Sequence, residues 1–208
     1  MAVLEQLREA IISGNRDQTK ALTQQALSEG IPAKQIVVDG IAAAMAVVGE
    51  KFRNNEFFVP ELLIAQRAMK ESLKMMSGES VDYVGTVVIG TVKGDLHDIG
   101  KNLVAIMLKG AGFEVIDLGN DVAPERFVEA ARQEQADVIG MSALLTTTMP
   151  VMKQVVDLAK KSGLAARTKI VIGGAPLSAE YAREIGADAY CYDASSAVDY
   201  VKKAVGRG

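Results

Sequence analysis

The sequence predicts an α/β protein in which an N-terminal four-helix bundle precedes a doubly wound sheet of five parallel strands. Three observations carry this. Apolar residues recur at helical spacing through about residue 77, and after it short β-branched runs alternate with amphipathic stretches. The change of period falls at Gly78-Glu79-Ser80, a stretch with the composition of a linker. The expected domains are therefore 1–77 for the helices, 78–83 for the linker and 84–208 for the sheet.

In the first helix Val3, Leu4, Leu7 and Ile11 form one stripe, and the pattern stops at Ser13-Gly14-Asn15. A second helix begins near Arg16, sets Leu22, Ala26 and Leu27 on one side and ends at Gly30. Pro32 suits the first turn of a third, striped by Val37, Ile41, Ala44, Met45, Val48 and Phe52 and broken at Asn54-Asn55-Glu56. A fourth runs from about Val59 through Leu62, Leu63, Met69, Leu73 and Met76. Short connections between four such helices favour an antiparallel bundle. Beyond the linker, strands are expected at 84–90, 113–118, 136–141, 169–172 and 187–191, with helices near 99–110, 124–134, 148–162, 178–185 and 194–205. Right-handed crossovers then favour the flavodoxin-like, Rossmann-type strand order 2-1-3-4-5.

Composition narrows the function. The 208 residues are 49% hydrophobic and 24% charged, as in an ordinary globular protein. A net charge of −3 and a pI near 5.3 lack the basic footprint that nucleic acid requires. One cysteine excludes an internal disulfide and agrees with a reducing compartment. The start, Met1-Ala2-Val3-Leu4-Glu5, does not read as a secretory signal. No apolar stretch approaches the roughly 18 residues that span a bilayer. The expectation is a cytoplasmic protein with no membrane partner and no nucleic-acid partner.

The chain's only histidine, His97, stands in Gly94-Asp95-Leu96-His97-Asp98-Ile99-Gly100, directly after an apolar strand. A lone histidine cannot build a zinc site, which takes three or four protein ligands. It can be one axial ligand to a metal already held by a macrocycle, as in haem. Asp95 reads as the partner that accepts the other ring N–H and fixes the tautomer; capping of a helix beginning near Asp98 is the alternative. Ser142-Ala143-Leu144 ends a second apolar run and Gly173-Gly174 a third. In an open parallel sheet, ligands bind beyond the carboxyl ends of the strands. His97, Ser142 and Gly173 follow strands one, three and four, and so converge on one edge.

This three-part pattern of Asp-x-His-x-x-Gly, Ser-x-Leu and Gly-Gly resembles the cobalamin-binding module of methionine synthase and of the corrinoid methyl carriers. The resemblance covers nearly the whole chain and is closest to the corrinoid proteins of anaerobic methyltransferase systems. It implies cobalamin or a related corrinoid, in its methylcobalamin form, bound base-off with His97 as the metal ligand. The loop carrying Gly94, Asp95, Asp98 and Ile99 would lift His97 to the lower face of the corrin. Gly100, Ser142, Gly173 and Gly174 would leave space for the ligand's tail, with close helix–strand packing as the alternative for Gly100, and Leu144 of the Ser-x-Leu part would also contact the cofactor. The family pattern sets a hydroxyl beside the aspartate, and here that place is Thr148, with Thr146 and Thr147 as neighbouring substitutes. It also implies that the helical domain covers the upper face, for which Phe58, with Met45 or Met69, is the candidate; ordinary packing explains each of them equally well. Cys191 reads as a buried packing residue, and Lys93 as a surface charge or a contact to a polar group of the corrin.

The same resemblance implies a methyl shuttle rather than a complete enzyme. Its partners would be a substrate-specific methyltransferase, a second methyltransferase using tetrahydrofolate or coenzyme M, and a reductive activase. The Gly78–Ser80 linker would be the hinge by which the helical cover moves aside. Three rivals remain: a cobalamin-dependent regulator, the small subunit of an adenosylcobalamin mutase, and a flavodoxin-like or receiver domain without a corrin. A regulator usually adds a DNA-binding segment, whereas this chain is expected to begin directly with the bundle. A mutase covers its cofactor with a barrel, and a receiver has an aspartate where Ser142 stands.

Overall fold

A computed structural model describes residues 2–76 and 83–206. The proposed linker and hinge at 78–80 lie outside the described residues. Two compact units are present, one carrying the N-terminal helices and one the sheet.

In the helical unit, α1 (Ala2–Ile12) and α2 (Arg16–Ser28) are joined by a tight turn, and the Asn15 side chain caps α2 by accepting from the Gln18 N–H. Then α3 (Ala33–Gln35), a π-helical segment (Ile36–Ala42) and α4 (Ala43–Arg53) follow without a break in helical backbone, and α5 is Val59–Met75. Pro32 is the N-cap of α3 rather than part of its first turn, and the π segment departs from the plain α-helix that the periodicity predicts. Its Gly40 lies close to α1, where a Cβ would come within 3.0 Å of Leu7 Cδ2. Leu7, Ile11, Ile36, Ile41, Val48, Leu62 and Met69 are all fully or almost fully buried. Most of the expected stripe residues are therefore core, but Leu63 is exposed, and Leu27, Phe52 and Leu73 are only partly buried.

A buried polar seam joins α2 to α5. The Thr23 and Ser72 hydroxyls lie 2.8 Å apart. Beside them Glu71 accepts from Arg16 at 2.8 Å, and the Lys20 and Lys74 ammonium groups lie at 3.2 and 3.4 Å.

The sheet unit contains β1 (Thr86–Thr91), β2 (Glu114–Asp117), β3 (Val138–Ser142), β4 (Lys169–Gly173) and β5 (Ala189–Cys191). All pairings are parallel and the order is β2-β1-β3-β4-β5, as the sequence predicts. Between and after the strands run α6 (Ile99–Gly110), α7 (Pro124–Gln133), α8 (Met149–Lys161), α9 (Ala179–Ile185) and α10 (Ala194–Ala204). Strands covered on both faces are apolar throughout rather than alternating, and β1 is buried from Val87 to Thr91. Gly90 has a packing reason: a Cβ there would come within 2.8 Å of the buried Phe127 ring. The same core contains Val88, Ile139, Met152, Val155 and Ile172. Among the described residues, no helix is long and apolar enough to cross a membrane.

The Arg16 guanidinium, then the Lys20 ammonium, lowers the Glu71 carboxyl from its ordinary 4.5 to about 2. A carboxyl lowered on folding stabilises the protein fully above its unfolded value and loses that contribution as the pH falls through the folded one. The stability difference between wild type and Glu71→Gln, from urea denaturation, should therefore be constant above pH 4.5 and shrink toward pH 2.

Candidate functional site

Strand register gathers the site. Thr91 pairs with Ser142, Ser142 with Gly173, and Gly173 with Cys191. The last residues of β1, β3, β4 and β5 thus stand in one row, and the loops beyond them rise from the carboxyl edge of the sheet.

The loop between β1 and α6 is built around Asp95, whose side chain is fully buried. A buried carboxylate is tolerated only when its oxygens are satisfied, and here both are. Asp95 Oδ1 accepts the His97 backbone N–H at 3.0 Å and pairs with His97 Nδ1 at 2.8 Å. Oδ2 accepts the Leu144 N–H at 2.7 Å, the Leu145 N–H at 3.0 Å and the Thr148 hydroxyl at 3.1 Å. Burial opposes ionisation of Asp95, but the His97 and Leu144 backbone amides, the imidazole and the Leu145 amide outweigh it. They hold the carboxyl well below the usual carboxylate range. The geometry is that of an imidazole partner, and no donor of the first turn of α6 contacts the carboxylate among the described residues.

With Nδ1–H turned to Asp95, the lone pair of the neutral ring is on Nε2. The His97 side chain is 53% exposed, so this nitrogen is open to a ligand. The strand-end loops on the same edge expose apolar groups: Leu96 at 69% and Ile99 at 77% after β1, Leu144 and Leu145 after β3, and Tyr192 after β5. Large apolar side chains grouped at the mouth of an α/β sheet mark a ligand surface. One imidazole amid apolar side chains fits a flat macrocycle that brings its own equatorial ligands to the metal.

The remaining predicted residues divide. Thr148 is buried and also donates to the Leu145 carbonyl at 2.8 Å, so its single hydroxyl proton is shared between two acceptors. Thr146 and Thr147 are exposed, which makes Thr148 the hydroxyl in register. At Gly100 an added Cβ would meet nothing within 4 Å, so close helix–strand packing does not explain that glycine, and open space does. Gly174 has a backbone reason: its φ is +138°, and a Cβ there would collide with the Ala143 carbonyl oxygen. Ser142 and Gly173 are partly buried, and Gly94, Asp98 and Lys93 lie on the same loop as His97, Lys93 on the surface. Cys191 is buried, and burial with the nearby Asp193 carboxylate pushes its thiol up to about 11, so it is an inert packing residue. In the helical unit Met45 and Met69 are buried, whereas Phe58 is 61% exposed.

A buried ion pair escaped the sequence reading. Lys101, near the start of α6, is 2% exposed, and its ammonium donates to both Asp117 oxygens and to Asn102 Oδ1, each at 2.6 Å. Lysine is almost never fully buried unless paired, and no periodicity argument places one inside. The only cue was Asp117 at a predicted strand end.

Comparison with known proteins gives the family. A family model described as a B12 binding domain matches residues 85–201, and a second with the same description matches residues 3–76. The dimethylamine corrinoid protein 1 of Methanosarcina acetivorans is 43% identical over 206 residues, covering 97% of this chain and 96% of that protein. The chain belongs to the B12-binding corrinoid proteins. A corrinoid protein of Desulfitobacterium hafniense is 38% identical over 214 residues, covering 100% of this chain and 99% of its own. Among solved structures, the methanol:cobalamin methyltransferase complex MtaBC from Methanosarcina barkeri matches with a TM-score of 0.91 at 28% identity, over 100% of this chain and 81% of that one. A cobalamin-binding protein from Desulfitobacterium hafniense DCB-2 matches with a TM-score of 0.78 at 27% identity, over 97% and 98%. For a corrinoid protein, a half-exposed imidazole held by a buried aspartate is the feature to test first.

Breaking the Lys101–Asp117 pair should be asymmetric. Asp117→Asn leaves a buried ammonium without its counter-charge and should cost about 3 kcal/mol. Lys101→Met leaves a carboxylate that is 30% exposed, which water can partly solvate, and should cost less. Urea denaturation of the two variants checks the order.

Proposed function

We propose that this corrinoid protein carries a methyl group on cobalt from a substrate-specific methyltransferase to a second methyltransferase, with base-off, His-on binding of the corrin. The observation that carries the proposal is the Asp95–His97 pair: a 2.8 Å contact at Nδ1 leaves Nε2 on a half-exposed ring amid apolar side chains. When bound, the corrin supplies a cobalt centre that accepts a methyl group from one partner and yields it to another.

The chain's own residues do the rest. Asp95 orients the imidazole and raises its basicity toward a metal, and Thr148 helps to hold the Asp95 carboxylate in place. Leu96, Ile99, Leu144 and Leu145 form an apolar floor for the corrin. Gly94, Asp98, Gly100, Ser142, Thr146, Gly173 and Gly174 lie on the same strand-end loops and would border the ligand and its tail. The helical domain, taken as 1–77, would cover the upper face and shield the methyl group with Phe58 and Met45, and 78–83 would be the linker to the sheet domain at 84–208.

Support for the donor side comes from the relatives. They are named as dimethylamine and trimethylamine corrinoid proteins, and the solved complex MtaBC is a methanol:cobalamin methyltransferase. The partners proposed here are accordingly a methyltransferase specific for a small methylated substrate, a second one using tetrahydrofolate or coenzyme M, and a reductive activase, all acting in the cytoplasm. The protein alone would complete no turnover.

Reconstitution with methylcobalamin tests this. Wild-type protein should keep its colour after desalting and show an imidazole-ligated absorption spectrum. His97→Ala should lose that spectrum, and Asp95→Asn should weaken corrin binding by about 10- to 100-fold. An unchanged spectrum in His97→Ala would overturn the assignment.

A further inference from the structure

Among the described residues, three that are not glycine have positive φ: Asn55, Gln135 and Asp121. Asn55 and Gln135 stand just past the ends of α4 and α7, where left-handed residues commonly close a helix. Asp121, at φ +54°, follows no helix; it lies between β2 and α7. Backbone held in that region points to a job that the local structure requires.

Its contacts show the job. The Asp121 Oδ1 atom accepts the Gly94 N–H at 2.7 Å, and the Asp121 N–H donates to the Asp95 carbonyl at 3.1 Å. One residue thus grips the peptide groups on both sides of the segment that leads into Asp95. Gly94 itself is held at φ +84°. The neighbouring chain reinforces the grip. The Thr91 N–H donates to the Gly119 carbonyl at 2.9 Å, and the Val122 N–H to the Thr91 carbonyl at 3.0 Å. The Asp95 carboxylate is meanwhile held from the opposite side by Leu144, Leu145 and Thr148. A carboxylate fixed only at its oxygens can still swing about its own backbone, and the imidazole paired with it would swing too.

We propose that Asp121 is a positioning residue for the ligand: its side chain clamps the Gly94–Asp95 backbone and so sets where His97 Nε2 stands. This rests on the reading of His97 as the lower cobalt ligand. The hydrogen bonds of Asp121 go to the Gly94 and Asp95 backbone and not to the imidazole, so it acts on His97 through that backbone.

Two variants separate the clamp from mere backbone preference. Asp121→Gly keeps the left-handed conformation and removes the acceptor. Asp121→Asn keeps both, because asparagine tolerates positive φ and its carbonyl oxygen can accept from Gly94. In protein without corrin, exchange of the Gly94 amide hydrogen should quicken about tenfold in Asp121→Gly and stay near wild type in Asp121→Asn. In protein loaded with cobalamin and reduced to cobalt(II), electron paramagnetic resonance reads the nitrogen splitting from an axial imidazole. The His-ligated to unligated ratio should fall about tenfold in Asp121→Gly, and Asp121→Asn should restore it. Wild-type exchange at Gly94 in Asp121→Gly, wild-type ligation in that variant, or equal loss in both variants overturns the proposal. A wild-type spectrum without imidazole nitrogen would instead remove the ligand reading, and this inference with it.

Discussion

A fully buried carboxylate organises the sheet unit's working edge. Asp95 receives two contacts from His97 and three from the chain after β3. Charge-assisted hydrogen bonds are shorter and stronger than neutral ones, and a low local dielectric makes an incomplete set costly. The carboxylate therefore does more than orient one ring. It ties the loop after β1 to the loop after β3, and the imidazole is oriented because those loops are.

The sheet makes that junction possible. Parallel strands point all their carboxyl ends the same way, and the register sets Thr91, Ser142, Gly173 and Cys191 side by side. The row leaves little room between the backbones. Gly174 answers to this, since any side chain there would strike the Ala143 carbonyl. A single glycine can therefore serve the packing of two strand ends and the space above them together. Gly100 is the contrasting case, because nothing among the described residues crowds it and its lack of a side chain only leaves room.

The helical unit is stabilised differently. Its core is aliphatic, but α2 and α5 are also joined through Glu71 and the Thr23–Ser72 contact. Arg16 and Lys20 are about half exposed, so solvent screens their attraction for Glu71. The apolar stripes carry most of the stability. Phe58 stands apart from them, its ring largely in water at the N-cap of α5.

Much of this was readable from the chain. Strand order follows from β-branched runs alternating with amphipathic helices, because right-handed crossovers leave few topologies open. The link from His97 to Asp95 was readable too, since two residues on one tight loop cannot be far apart. Thr148 came from the family pattern rather than from any local rule, and folding put it, not Thr146 or Thr147, against Asp95. Lys101 and Asp121 were not legible. A lysine reads as a surface residue until a partner is brought to it from a strand, and a left-handed aspartate in a loop leaves no periodic trace. The reason is general: periodicity reports which face of an element is buried, while contacts between loops depend on how the strand ends are aligned, and that alignment exists only once the sheet has formed.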